Sequence, residues 1–89
     1  MITVYTKNNC PHCLEAKARL KQGQWQYTEV NIEIDTEARD WLVSQGARTM
    51  PQIYHNGSKF CEGASELVKM SDIEINEKLG NFNLGGISL

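Results

Sequence analysis

Between residues 2 and 6 the apolar Ile2 and Val4 alternate with Thr3 and Tyr5, the two-residue period of a strand with one buried face. The pattern changes after Cys10. Pro11 suits the first position of a helix, the run to Gln22 is rich in Ala, Leu, Lys and Arg, and Gly23 stands where helices commonly stop. Helical spacing puts Cys13, Ala16 and Leu20 on one buried face of that segment. Thr28, Val30 and Ile32 then alternate with Tyr27, Glu29 and Asn31, so the strand–helix–strand unit is predicted to be a parallel, right-handed crossover. Asp35 or Thr36 can cap a second helix carrying Ala38, Trp41, Leu42 and Gln45, with Gly46 closing it. Asn56-Gly57, flanked by Gln52 to His55 and Ser58 to Cys61, is a hairpin signal, because both central residues of a type I′ turn need positive φ. Gly63-Ala64-Ser65-Glu66 opens a short helix carrying Leu67 and Val68, and Ser71 with Glu74 forms a capping box for a last helix through Leu79. The predicted architecture is therefore α/β, a four-stranded mixed sheet flanked by helices on both faces.

At 89 residues this is one domain with a simple core, expected over residues 1–80, with 81–89 as a frayed tail. The formal net charge of -2 supplies no basic footprint for nucleic acid, so none is expected as a partner, and a monomer is expected. The first residues read as a strand rather than a signal peptide, and no stretch reaches membrane-spanning length, which points to a cytoplasmic protein without a membrane partner. Three cysteines do not make a disulfide framework. In a reducing compartment the close pair Cys10 and Cys13 is more naturally catalytic or metal-binding than a staple.

Two cysteines at i and i+3 on the first turn of a helix lie within disulfide reach, so the pair can open and close without unfolding the chain. Cys10 falls where unpaired backbone N–H groups and the positive end of the helix dipole favour an anion, and its thiol should ionise more easily than a free one. Lys7 and His12 add positive or dipolar character, His12 as a charge only when protonated. Pro11 fixes the turn without offering an N–H, which leaves the following amides, including that of Cys13, to donate to sulfur. Cys13, facing the core, should stay a thiol until it attacks Cys10 in a mixed disulfide. A zinc site needs a second ligand pair. Cys61 stands alone, His12 lies inside the loop and His55 precedes a turn, so no metal is expected. Cys61 and Trp41 read as core residues, Trp25 as either core or binding surface, and His55 as a solvated turn neighbour.

With Tyr5-Thr6-Lys7 before Cys10-Pro11-His12-Cys13, Arg48-Thr49-Met50-Pro51-Gln52-Ile53 and Gly63 opening a helix, the sequence resembles the glutaredoxin family of the thioredoxin fold, in its dithiol CPHC form, over about residues 1 to 70. The resemblance implies a thiol-disulfide oxidoreductase acting on protein disulfides or glutathione mixed disulfides, with Cys10 as nucleophile, Cys13 as resolving thiol and glutathione as co-substrate. It implies a cis bond before Pro51, facing the cysteines, with the Met50 backbone pairing with the substrate. It also implies that Lys7 and Arg48 hold the glycine carboxylate of glutathione, and that Gly63, Ala64 and Ser65 receive the γ-glutamyl carboxylate. Glu62 departs from the Gly-Gly found in many members and puts a negative charge beside that second site. His12 stands where tyrosine is frequent, and the tetrad resembles that of strongly oxidising thiol oxidases of the DsbA type, which implies a more oxidising couple than usual. Two alternatives accompany this reading: an electron donor to ribonucleotide reductase regenerated by thioredoxin reductase, and a module in which two chains share an iron–sulfur cluster through Cys10 and glutathione.

Overall fold

The computed structural model describes residues 1–80, and the expected tail over 81–89 lies outside them. Four strands, β1 (Ile2–Thr6), β2 (Tyr27–Asn31), β3 (Gln52–His55) and β4 (Ser58–Cys61), form one sheet in the order β2-β1-β3-β4. β2 runs parallel to β1, with Val4 opposite Glu29, whereas β3 is antiparallel to both β1 and β4. The helices are α1 (Pro11–Gln22), α2 (Thr36–Ser44), α3 (Gly63–Lys69) and α4 (Asp72–Leu79). This is the four-stranded mixed sheet expected from the sequence.

The alternation in β1 sorts its side chains onto two layers. Ile2 and Val4 join Ile53 on the face covered by α1, α3 and α4, where Ala16, Leu20, Ala64, Leu67 and Ile75 complete the core. Tyr5 and Tyr54 point to the opposite face, under α2, whose Leu42 is fully buried. Trp41 was expected to be buried. It is 38% exposed, and its ring meets Tyr54 edge-to-face and Tyr5 at a tilt, with centroids 5.2 and 6.0 Å away, so it covers the aromatic layer from outside. His55 is not merely a solvated turn neighbour either, since its ring meets Phe60 edge-on at 6.2 Å.

Local chemistry accounts for the element ends. Asp35 rather than Thr36 caps α2, its carboxylate accepting from Ala38 N–H at 3.0 Å. Ser71 and Glu74 form the reciprocal capping box of α4. Asn56 and Gly57 have φ of 51° and 84°, as the hairpin turn requires. Gly23 ends α1 for a different reason from a left-handed cap: its φ is -87°, and the Trp25 ring lies where any side chain at residue 23 would stand. Trp25 thereby resolves to the core side, donating from Nε1 to Asn76 Oδ1 at 2.8 Å and lying under the Arg19 guanidinium. Arg19 also donates to Met70 O and pairs with Asp72 at 2.7 Å, which docks the start of α4 onto α1. None of the helices is long and apolar enough to cross a membrane among the described residues.

Candidate active site

The loop from Lys7 to Asn9 carries the chain from the end of β1 to the mouth of α1. Asn9 adopts φ of 55°, a left-handed conformation that asparagine tolerates better than most residues. The loop is held from the side by Glu33, whose carboxylate accepts from the Asn8 backbone N–H at 2.8 Å and from Asn8 Nδ2 at 3.3 Å. Asn31 donates to Asn8 Oδ1 at 2.9 Å and accepts from Glu33 N–H. Nothing in residue spacing announced this clamp, because its parts follow β1 and close β2, two strands brought together by their parallel pairing.

Cys10 is the N-cap of α1 and Pro11 its first residue. The Cys10 and Cys13 Cα atoms are 5.2 Å apart and their sulfurs are joined. The Cys13 N–H donates to Cys10 Sγ at 3.2 Å, so the sulfur fills the place that an oxygen takes in an ordinary cap. Cys10 is 9% exposed and Cys13 2%, so Cys10 is the sulfur nearer solvent. Its Sγ lies 3.9 Å from the Met50 carbonyl oxygen, and the Met50–Pro51 bond that follows is cis.

His12 turns to Glu15. It is exposed and its Nδ1 meets Glu15 Oε1 at 2.7 Å, so a carboxylate accompanies any positive charge it carries. Lys7 and Arg48, far apart in sequence, line one cavity of about 180 Å³ beside Met50. Arg39 of α2 lines it too and was not anticipated, although it stands one helical turn before the buried Leu42 and the exposed Val43, which line the same cavity. Gly63 opens α3 with φ of 76° close to Pro51, since a Cβ there would stand 3.8 Å from Pro51 O. Ala64 is buried in the core and Ser65 is exposed. The mouth of α3 already holds negative charge: the Glu66 carboxylate accepts from the Glu62 N–H, and Glu62 pairs with Lys59 at 3.1 Å.

Cys61 is buried beneath this region and donates to Gly63 O at 3.7 Å. Burial, followed by the charge of Glu66, pushes its thiol up to about 11. It is a core residue, as its sequence position suggested. No cluster of three metal-ligating side chains occurs among the described residues.

The glutaredoxin family model matches residues 2–60. The glutaredoxin-like protein NrdH of Lactococcus lactis subsp. cremoris is 33% identical over 72 residues, covering 80% of this chain and all of that protein. NrdH of Salmonella typhimurium is 35% identical over 52 residues, a match that spans 58% of this chain and 64% of that relative's length. A solved structure of the glutaredoxin-like NrdH-redoxin from Escherichia coli, described as having a thioredoxin-like activity profile, superposes with a TM-score of 0.64 at 25% identity, over 79% of this chain and 93% of that one. With the family model spanning the sheet and both cysteines, the chain belongs to the glutaredoxin family and has its thioredoxin-like fold.

Proposed function

We propose that this protein is a dithiol reductase of protein disulfides, with Cys10 as nucleophile and Cys13 as resolving thiol. The observation that carries this reading is the Cys13 N–H aimed at Cys10 sulfur on the first turn of α1, with that sulfur bonded to the buried sulfur of Cys13. A sulfur at that position gains from negative charge, because the Cys13 amide, which it shares with the Cys10 carbonyl oxygen 3.1 Å away, and the helix dipole both favour an anion there. The Cys10 thiolate attacks one sulfur of the substrate disulfide, forming a Cys10–substrate mixed disulfide and expelling the other sulfur as a thiolate that takes up a proton. Cys13 then gives up its proton and attacks Cys10 Sγ, closing the Cys10–Cys13 disulfide and releasing the first substrate thiol. The substrate gains two electrons and two protons, which an external reductant must return to the protein.

For that reductant we favour a flavoprotein of the thioredoxin reductase type, with delivery to an enzyme such as ribonucleotide reductase as the corresponding role. The carboxylates of Glu62 and Glu66 at the mouth of α3 oppose the γ-glutamyl carboxylate of glutathione. The activity profile ascribed to the Escherichia coli redoxin agrees. Glutathione as co-substrate is the second reading, favoured by the convergence of Lys7 and Arg48 on one cavity. The unpaired Cys61 suits a reducing compartment, and we place the protein in the cytoplasm.

The test is insulin reduction coupled to NADPH, run once with thioredoxin reductase and once with glutathione plus glutathione reductase. The account expects turnover in the first system, loss of it in Cys10→Ser, and a trapped mixed disulfide in Cys13→Ser. Turnover only in the second would select glutathione, and turnover surviving Cys10→Ser would overturn the reading.

A further inference from the structure

The charges around the two cysteines are sorted to opposite sides. Three of the nine Lys and Arg residues, Lys7, Arg39 and Arg48, surround a single cavity, although the chain as a whole is acidic. None of the three forms an ion pair among the described residues, whereas Lys17, Arg19 and Lys59 are each engaged with a carboxylate. The cavity has apolar walls from Leu42, Val43 and Met50, which lower the local dielectric and strengthen the pull on an incoming anion. Met50 links this basin to the reacting sulfur through its carbonyl, 3.9 Å from Cys10 Sγ.

Beyond Pro51 carboxylates enter, those of Glu62 and Glu66, with Lys59 and Lys78 as basic neighbours around Cys61. The start of α3 abuts the Pro51 carbonyl, and there Glu66 takes the Glu62 N–H while Glu62 stands on the surface beside Lys59. A second anion arriving on this side meets carboxylates already in place. A ligand with carboxylates at both ends therefore suits only half of the cleft.

We propose that the cleft is a polarised peptide site, selecting protein segments with a carboxylate on one side of the reactive cysteine and a neutral or basic side chain on the other. This rests on the oxidoreductase reading and names its substrate class. Lys7, Arg39 and Arg48 receive the acidic side chain, and Glu62 and Glu66 reject a second one. Arg39 is the added specificity element, since a fork-shaped guanidinium beside Arg48 lets a carboxylate be gripped from two directions.

Single-turnover rates of the pre-reduced protein test this without any reductase. The substrates are cystine-bridged pentapeptide dimers in which the residues flanking cysteine are acidic–basic, basic–acidic, both acidic or both neutral. One polarised order is expected to react about tenfold faster than the neutral peptide, the scale set by a carboxylate meeting partly desolvated cations. The doubly acidic peptide is expected to fall below that polarised peptide, and Glu66→Gln to narrow the gap. In Arg39→Ser/Arg48→Ser the ratio of polarised to neutral rates is expected to drop toward one, and added salt to reduce it in the parent. Equal rates on all four peptides, a doubly acidic peptide that is the fastest, or a preference that survives the double substitution would overturn the proposal while leaving the reductase reading intact. Failure to reduce even the neutral peptide would remove both.

Discussion

The sulfurs of Cys10 and Cys61 are set for opposite behaviour by what surrounds them. Cys10 has an amide pointing at it and access to solvent, whereas Cys61 is buried with Glu66 and Glu62 as negative neighbours. Because the Cys61 thiol is raised to about 11, native reduced protein treated with iodoacetamide at pH 7.5 should be modified at Cys10 and spared at Cys61 until denaturant is added. Peptide mapping decides it, and rapid native labelling of Cys61 would contradict the burial argument. His12 tells a related story. Its contact with Glu15 sets a carboxylate, five residues along from Cys10, against the oxidising character that the tetrad implies, because negative charge disfavours a thiolate. Glu15→Gln should therefore make the couple more oxidising, by on the order of 10 mV for such exposed groups. Equilibration against a dithiol redox buffer measures this, and an unchanged or more reducing couple would show that the pair does not communicate with Cys10.

Among elements, β2 is tied to its neighbours by polar side-chain contacts as well as by its ladder. As an edge strand it presents Glu29 to the α1 side, where the carboxylate accepts from Thr6 Oγ1 at 2.8 Å and pairs with Lys17 at 3.1 Å. The Thr6 hydrogen bond, followed by that of Lys17, holds the Glu29 carboxyl below its usual range. A carboxyl with a lowered folded value adds stability at neutral pH, loses it as pH falls below the ordinary glutamate value of about 4.3, and adds none below its folded value. Glu29→Gln is expected to lower Tm at pH 7 by an amount worth about 1 kcal/mol or less, since the group is partly exposed, and the gap should close toward pH 3. Thermal melts across that range check it, and a gap that widens in acid would reverse the sign. The same strand shows where sequence reading falters. For α1, the hairpin and α4, local punctuation by Pro11, Asn56-Gly57 and the Ser71–Glu74 box decides the outcome, so their positions were legible. In β2 the expected alternation does not become an apolar face: Thr28 and Glu29 are exposed and Ile32 lies past the strand end, because an edge strand buries little. Trp41 escaped for a comparable reason, since helical spacing gives a face but not how far the neighbouring layer reaches over it.

At the scale of the whole molecule, the site is a meeting of three distant segments at one end of the sheet: the Lys7–Cys13 turn, Arg48 to Pro51, and the opening of α3. Two of the three were legible because their residues form compact motifs. Arg39 and the Asn8–Asn31–Glu33 clamp were not, since each acquires a role only when β1, β2 and α2 are assembled. The fold brings these parts together to favour negative charge on Cys10, the sulfur of the pair nearer solvent, and the proposed exchange chemistry depends on that. The most direct test is the pH dependence of Cys10 alkylation in the reduced protein, with Cys61→Ala to isolate the signal. The account predicts a midpoint clearly below the value of about 8.5 for a free cysteine. A midpoint at or above that value would contradict it.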